Sequence, residues 1–517
     1  MVDRFKITYL GACPYSYSAM LFKNIKKILQ DKPDPIEIAL CHSDERKLRL
    51  LSQYLYNAIK RTNKKKLTNV LISTYTQEEE ALANSDFVIQ AISTNNVQTM
   101  LYDYYLPLKF GIVQADGSQV GPAGIFRSFR TNVLTSETSQ KIHKICPNAP
   151  FMILTDPKAS NILAAQQTTP SILSFGISSD LYEGTIPIQK IIQSHPDFEK
   201  NSEFEYMYQY AGIPYCSWLT KITYGNQDYT NSLHELVESS KLKKFKQYSF
   251  NLHLYNTLGA YSYTKPKNLA NYFPDYLNYF NHLNSSPIWK FPLKEIKERN
   301  KIVSFLKNSV KKIIPHPILY SFRTYNNMPN ALDIAVDFMH ENSTKFPGII
   351  QNHHFESSMI QSLPEESIVE YPIIFTSKKL QPASHMDLPN EITEILTPYS
   401  DSQQYTVEAA LGNQMDLAVQ AMLKDPLNQW IDDEEKITFL TQLMLYYEQK
   451  WLPEAWQEWI PTKEDLSKSK WWISLTDLTK RNKQYQKFKF PVKEEMRAHA
   501  FSMKKEPSAK VELEENV

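Results

Sequence analysis

Short apolar runs alternate with stretches of helical spacing through the first 180 residues. FKITYL, IEIALC, VLISTY, FVIQAI, FMIL and SILSFGI are each rich in β-branched or aromatic side chains, and each ends in a polar turn. Between them apolar residues recur at helical intervals, as in Met20, Leu21, Ile25, Ile28 and Leu29. Strands separated by helices pair in parallel, because the crossover helix returns the chain to the same end of the sheet. The expected fold class is therefore α/β, with an amino-terminal Rossmann-like doubly wound sheet over residues 1–185. Parallel strands are buried on both faces and carry their polar residues at the carboxyl ends, where such sheets bind ligands. The stretch SFGISSD has that form and makes Ser178, Ser179 and Asp180 cleft residues.

After about residue 185 the pattern changes. Segment 200–300 is dense in Tyr, Asn and Phe and reads as mostly helical with loops. Segment 330–390 contains short strands such as SIVEYPIIF. Segment 391–450 reads as helical through EITEILTPY, QYTVEAALGNQMDLAVQAMLKDPL and KITFLTQLMLYYEQ. These give an α+β second domain over 186–450. Residues 451–517 form a tryptophan-rich extension ending in a charged tail, KKEPSAKVELEENV, whose composition predicts disorder.

The formal net charge of +1 over 517 residues argues against nucleic acid or an anionic membrane as partner. No apolar stretch is long enough for a membrane span, and the start has no pattern of a secretory leader. Cys13, Cys41, Cys146 and Cys216 are widely spaced, with no CxxC pair, as in a reduced cytoplasmic protein. There are only 12 glycines, well below the usual ~7%, so those present mark places where the backbone needs them.

The turn Gly11-Ala12-Cys13-Pro14-Tyr15-Ser16 follows the first strand, where a dinucleotide fold carries GxGxxG. Only the first glycine is present, and Cys13 stands where the second would admit a pyrophosphate. The acidic residue that binds ribose hydroxyls falls at His42, with Asp44 two residues on. These residues leave open both nicotinamide binding and an altered crevice. No GxSxG surrounds Ser178 and Ser179, which argues against a serine-hydrolase site.

LPLKFG (106–111), GPAGIFRSFRT (121–131), CPNAPFMILTDP (146–157), GISS (176–179), AGIPYCSWL (211–219), LPEESIVEYPI (363–373) and YTVEAALGNQMDLAVQAMLKDPL (405–427) occur in that order. In order and spacing, from about residue 5 to 430, the chain resembles glycoside hydrolase family 4. Glycines 11, 111, 121, 124, 176, 212, 259 and 412 lie in or beside these segments. The resemblance implies a lactate/malate dehydrogenase-like architecture and an NAD-dependent glycosidase of carbohydrate metabolism, acting on a sugar or sugar phosphate. It implies oxidation at sugar C3, removal of the C2 proton by a tyrosine, help from a divalent metal such as Mn, and elimination of the leaving group.

Carried over residue by residue, the implied cofactor-binding positions are Gly11, Cys13, Ser16, Asp44 and Asn95. Substrate positions are Asp156, Arg127 and Arg130. Tyr272 matches the tyrosine base, and Asp180 is the second catalytic candidate. Ser178 and Tyr215 take the positions of the metal-binding cysteine and histidine. A serine hydroxyl and a phenol of pKa about 10 are poor donors for such an ion, so a metal is not expected to be held there in the usual way. Asp180 and Cys216 lie near those positions and offer a shifted geometry. Three readings stand: a divergent glycosidase, an inactive homologue kept as a binding module, and an NAD-dependent dehydrogenase without metal. A homo-oligomer is expected from the aromatic-rich carboxy-terminal half.

Overall fold

The computed structural model describes residues 4–474, apart from 13–34, 63–68, 95–96, 116, 118, 179, 195–197, 202, 231, 234, 236–248, 278–299, 302, 305, 309, 312–330, 356, 377–378, 384–385 and 432. The apolar runs form strands β1 (Phe5–Leu10), β2 (Ile36–Cys41), β3 (Val70–Tyr75), β4 (Phe87–Gln90), β5 (Phe151–Ile153) and β6 (Ser174–Ile177). They pair in parallel in the order β3-β2-β1-β4-β5-β6, with Ile7 opposite both Ile38 and Phe87. This is the doubly wound order, in which β1 and β4 are neighbours and the connections diverge to opposite faces.

Helices α1 (Glu45–Thr62), α2 (Glu78–Leu82), α3 (Val97–Lys109), α4 (Gly121–Ile145) and α5 (Lys158–Thr168) belong to this half. Helix α4 is buried on nearly every side, and several of its hydroxyl residues are satisfied locally. Ser128 donates to the Gly124 carbonyl and shares a hydrogen bond with Ser160 of α5, and Thr131 donates to the Arg127 carbonyl. Gly121 opens α4 in a left-handed conformation (φ 74°), its N–H donating to Asp425 at 2.6 Å.

The second half extends the same sheet with antiparallel strands: β7 (Tyr206–Ile213), β8 (Cys216–Tyr224), β9 (Gln227–Asp228), β10 (Tyr261–Ser262), β11 (Lys345–Gln351), β12 (Ile368–Thr376) and β13 (Lys379–Pro382). The path continues β6-β11-β12-β7-β8-β10, with β13 on β12 and β9 on β8. The junction is antiparallel, Gly176 lying opposite Ile349 and Ile177 opposite Gly348. The helical reading of 200–300 is overturned at β7–β8, a tight antiparallel hairpin. YMYQYAGI and CSWLTKITY are rich in aromatic and β-branched residues, which suit a pleated surface. The turn hid the hairpin: its left-handed position is Tyr215 (φ 65°), with no glycine or asparagine to mark it.

Helices α6 (Asp180–Gly184), α7 (Ile186–Gln193), α8 (Ser249–Leu258), α9 (Ala331–Met339), α10 (Asn390–Gly412), α11 (Met415–Lys424) and α12 (Glu434–Glu448) belong to this half, with two short helices at Pro266–Leu269 and Lys463–Ser467. Helix α10 runs through Pro398, joining two segments that read separately, and ends at left-handed Asn413 (φ 51°), which splits the segment read as continuous. Trp456, fully buried, stacks on Phe129 of α4 with centroids 4.7 Å apart, so the start of the extension packs onto the core. Residues 475–517, including the charged tail, lie outside the described residues. Among the described residues no helix is long and apolar enough to cross a membrane.

Candidate active site at the carboxyl ends of the central strands

Strands β1 and β4 end side by side, and the crevice between their connections is where this topology receives a dinucleotide. Gly11 leaves β1 with φ 79°, its N–H donating to the Cys41 carbonyl at 3.1 Å. A side chain there would place its Cβ 2.7 Å from the Ala91 carbonyl oxygen beyond β4. Asp44 caps α1: its Oδ1 accepts the N–H groups of Arg46 (2.9 Å) and Lys47 (3.3 Å). The ring of His42 accepts the Asp44 N–H at 2.8 Å and fixes that turn. Beyond β4, the Thr94 hydroxyl is buried without a hydrogen-bond partner among the described residues. An unspent hydroxyl at this edge fits a bound polar group. Cys13, Ser16 and Asn95 lie outside the described residues.

At the end of β5, Asp156 and Pro157 lead into α5. Gln119 ties both sides of this step: its nitrogen donates to Asp156 Oδ1 (2.9 Å), and its oxygen accepts the Lys158 N–H (3.0 Å). The β7–β8 turn brings Tyr215 over the same carboxylate, its hydroxyl donating to Asp156 Oδ1 at 3.2 Å. Lys158 Nζ donates to the Tyr215 hydroxyl at 3.1 Å, lies 3.8 Å from Asp156 Oδ1 and sits 4.9 Å from the Tyr215 ring centroid. Tyr272 supports the turn from below. Its hydroxyl donates to the Pro214 carbonyl at 2.7 Å, and its buried ring lies 4.8 Å from that of Tyr399.

Beyond β6, Ser178 is held by its N–H to the Pro347 carbonyl (2.9 Å), and its hydroxyl accepts the Asp180 N–H (3.3 Å). Glu370 rises from the middle of β12, opposite Gly212 and Ile349, and accepts the Tyr263 hydroxyl at 2.7 Å. Burial pushes the Glu370 carboxyl up to about 7, and the charge of Asp180 adds to this. Hydrogen bonds from Tyr263 and Ser178 and the charge of Lys158 act against it. Asp180 is likewise raised by burial, opposed by Lys265 and Lys158. Its Oδ1 lies 3.6 Å from Lys265 Nζ, and its Oδ2 is buried with no hydrogen-bond partner among the described residues. Lys265 also reaches Glu183 at 3.1 Å.

The structure thus gathers Asp156, Ser178, Asp180 and Tyr215 at the ends of β5 and β6. Four residues that the sequence reading did not single out join them: Lys158, Tyr263, Lys265 and Glu370. Glu370 had a readable signal, a carboxylate inside the apolar run IVEYPIIF, since charges are rarely buried without a reason. Arg130 is fully buried among α3, α4 and α12. Its two terminal nitrogens hold Asp103 (2.8 Å) and Glu448, so both are taken up by helix-to-helix ion pairs. Arg127 is also buried, and its Nε has no partner among the described residues.

The implied metal positions do not fit a divalent ion. Ser178 and Tyr215 offer neutral oxygens, and an ammonium already donates to the phenol. Among the described residues no three His, Cys, Asp or Glu side chains converge as a metal group. Cys216 is fully buried, and burial holds its thiol well above the ordinary value, away from the thiolate a metal needs.

Residues 6–193 match the model of the family 4 glycosyl hydrolases, and residues 210–428 match that of the family 4 glycosyl hydrolase C-terminal domain. An alpha-galacturonidase of Thermoanaerobacter italicus is 28% identical over 368 residues, 67% of this chain and 78% of that protein. An alpha-galactosidase of Bacillus subtilis is 24% identical over 461 residues, 87% of this chain and 99% of that protein. A 6-phospho-alpha-glucosidase from gut microorganisms, solved in complex with NAD and Mn2+, shares the fold with a TM-score of 0.68 at 16% identity, over 87% of this chain and 100% of its own. The two family models together span most of the chain, amino-terminal sheet and carboxy-terminal half alike, and the chain belongs to the family 4 glycosyl hydrolases.

Proposed function

We propose that this chain cleaves the O-glycosyl bond of a small sugar or sugar phosphate in carbohydrate metabolism, with NAD held at the β1–β4 crevice. The observation that carries this reading is the cluster Asp156, Tyr215, Lys158, Ser178, Asp180 and Glu370 beside the crevice. When bound, the dinucleotide supplies an acceptor, and later a donor, of hydride at a sugar carbon. Gly11 provides the tight turn it passes, and Asp44 keeps one carboxylate oxygen outside its helix cap for a ribose hydroxyl; Cys13, Ser16 and Asn95, outside the described residues, are assigned to the same cofactor from the sequence alone.

Glu370, with a carboxyl titrating near neutrality (about 7), is the group suited to take and return a proton at its carboxylate. Tyr272 commits its proton to the Pro214 carbonyl, and we assign it the positioning of the Tyr215 turn in place of a base role. Asp156, aligned by Gln119 and Tyr215, holds a sugar hydroxyl. Asp180 fixes Lys265. Arg127 and Arg130 brace α4 behind the pocket. The protein works in the cytoplasm, consistent with buried, unpaired Cys41, Cys146 and Cys216, and as a homo-oligomer, which light scattering tests.

The purified protein is expected to carry NAD or to be stabilised by it in thermal melts. With NAD it should hydrolyse aryl galactosides, aryl galacturonides or phosphorylated disaccharides and exchange the sugar C2 proton into deuterated water. No stabilisation by NAD together with no hydrolysis overturns the reading. The replaced positions Ser178 and Tyr215 favour a second reading, a catalytically silent binding module, which NAD and sugar binding without turnover identifies. Stoichiometric reduction of NAD without bond cleavage identifies a dehydrogenase.

A further inference from the structure

Lys158 is an unusual residue at its position. It opens helix α5, where the helix dipole disfavours a cation, and its side chain is only 7% exposed. Burying an ammonium is unfavourable unless its surroundings replace the lost water. Here they do so through a phenol at 3.1 Å, a carboxylate at 3.8 Å and an aromatic face at 4.9 Å. The phenol is one of the two side chains at the implied metal positions, turned onto the ammonium by the left-handed backbone of Tyr215. The charge of Lys158 is also felt by Asp180 and by Glu370, and Glu370 is the carboxyl to which the Ser178 hydroxyl bonds. One fixed positive charge therefore addresses both substituted positions and the three carboxyls around them.

We propose that the Lys158 ammonium is the resident cation of this pocket, standing in the place of the divalent metal implied by the family resemblance, so that the site is complete without a metal. The inference rests on the glycosidase reading only for which ligand oxygen the ammonium faces. A divalent ion brought between Ser178 and Tyr215 would meet a like charge at close range in a partly dry site, where repulsion is strong.

The test is binding of Mn2+ by the full chain, read from loss of the free-ion electron paramagnetic resonance signal. The wild-type protein is expected to take up no equimolar Mn2+. Restoring both ligand types with Ser178→Cys and Tyr215→His is expected to give at most weak uptake. Adding Lys158→Met to that pair should tighten Mn2+ binding at least about tenfold, because the repelling charge is gone. One equivalent of Mn2+ bound by the wild type, or equal affinity with and without Lys158→Met, overturns the proposal. If the substituted proteins do not fold, judged by circular dichroism, the wild-type titration decides alone. NAD binding is measured on the same sample, so failure of the glycosidase reading and failure of the Lys158 assignment give different results.

Discussion

Glu370 shows how a single buried group couples the pocket to pH. Its folded-state carboxyl titrates near 7, against 4.5 for the ordinary group. Between those values the folded protein binds the proton that the unfolded chain has released, so this stabilisation is full below about pH 4.5 and is lost as pH rises through about 7. Glu370→Gln removes the titration while keeping an acceptor for Tyr263. The wild type should therefore lose stability relative to this variant between about pH 4.5 and 7, by roughly 3 kcal/mol at most. Urea denaturation at a series of pH values measures it, and parallel pH dependences for the two proteins would remove Glu370 from the account. At this scale the sequence was partly legible. Ser178, Asp180, Asp156 and Tyr215 were found because flanking motifs fix their positions. Lys158 was missed because a lysine after a proline at a helix start reads as a surface residue, and only the Tyr215 turn, brought in from a distant hairpin, covers it.

The element that governs the far side of the pocket is short helix α6. Its last residue, Gly184, lies so close to the Tyr261–Lys265 segment that a Cβ there would sit 1.6 Å from the Tyr263 carbonyl oxygen. Tyr261 closes the same contact by donating to the Gly184 carbonyl at 2.9 Å. Gly184→Ala must push this segment away, and with it the Tyr263 hydroxyl that binds Glu370 and the Lys265 ammonium near Asp180. Backbone collision of this kind is expected to cost about 1–3 kcal/mol and to reduce hydrolysis more than NAD binding. Denaturation together with a nucleotide titration checks both, and equal loss of the two activities would count against the contact. Elements with a strong period, β1 to β6 and α12, could be read directly from the sequence, while α10 and α11 were legible as helical but not in their bounds. The β7–β8 hairpin could not, because its turn lacks the small residue that ordinarily announces one and its tyrosines gave no clean alternation of buried and exposed positions.

Across the whole molecule, the parallel, doubly wound character of the first sheet followed from alternation alone, whereas its strand order and its extension did not. Nothing local in SFGI or in KFPGIIQ says that the two will pair, since residues far apart in sequence meet only when both halves have formed. Gly176 shows the geometric demand: a Cβ there would approach Ile349 Cβ of the paired strand at 3.3 Å. A fragment ending at residue 193 would contain all six parallel strands yet leave β6 with an uncovered edge. It is expected to aggregate or pair with itself, because such an edge is a template for another strand. Gel filtration against the full chain tests this, and a soluble monomeric fragment would show that β11 is dispensable.

The same junction sets a schedule for synthesis. β6 and β11 are separated by roughly 170 residues of chain. At about 5–20 residues per second, a ribosome needs about 10–30 s to deliver the second after the first. For that interval the growing sheet carries an open seam. Whatever shields it in the cell, a chaperone or slow pairing upstream, governs how much of this protein reaches the state in which its pocket exists.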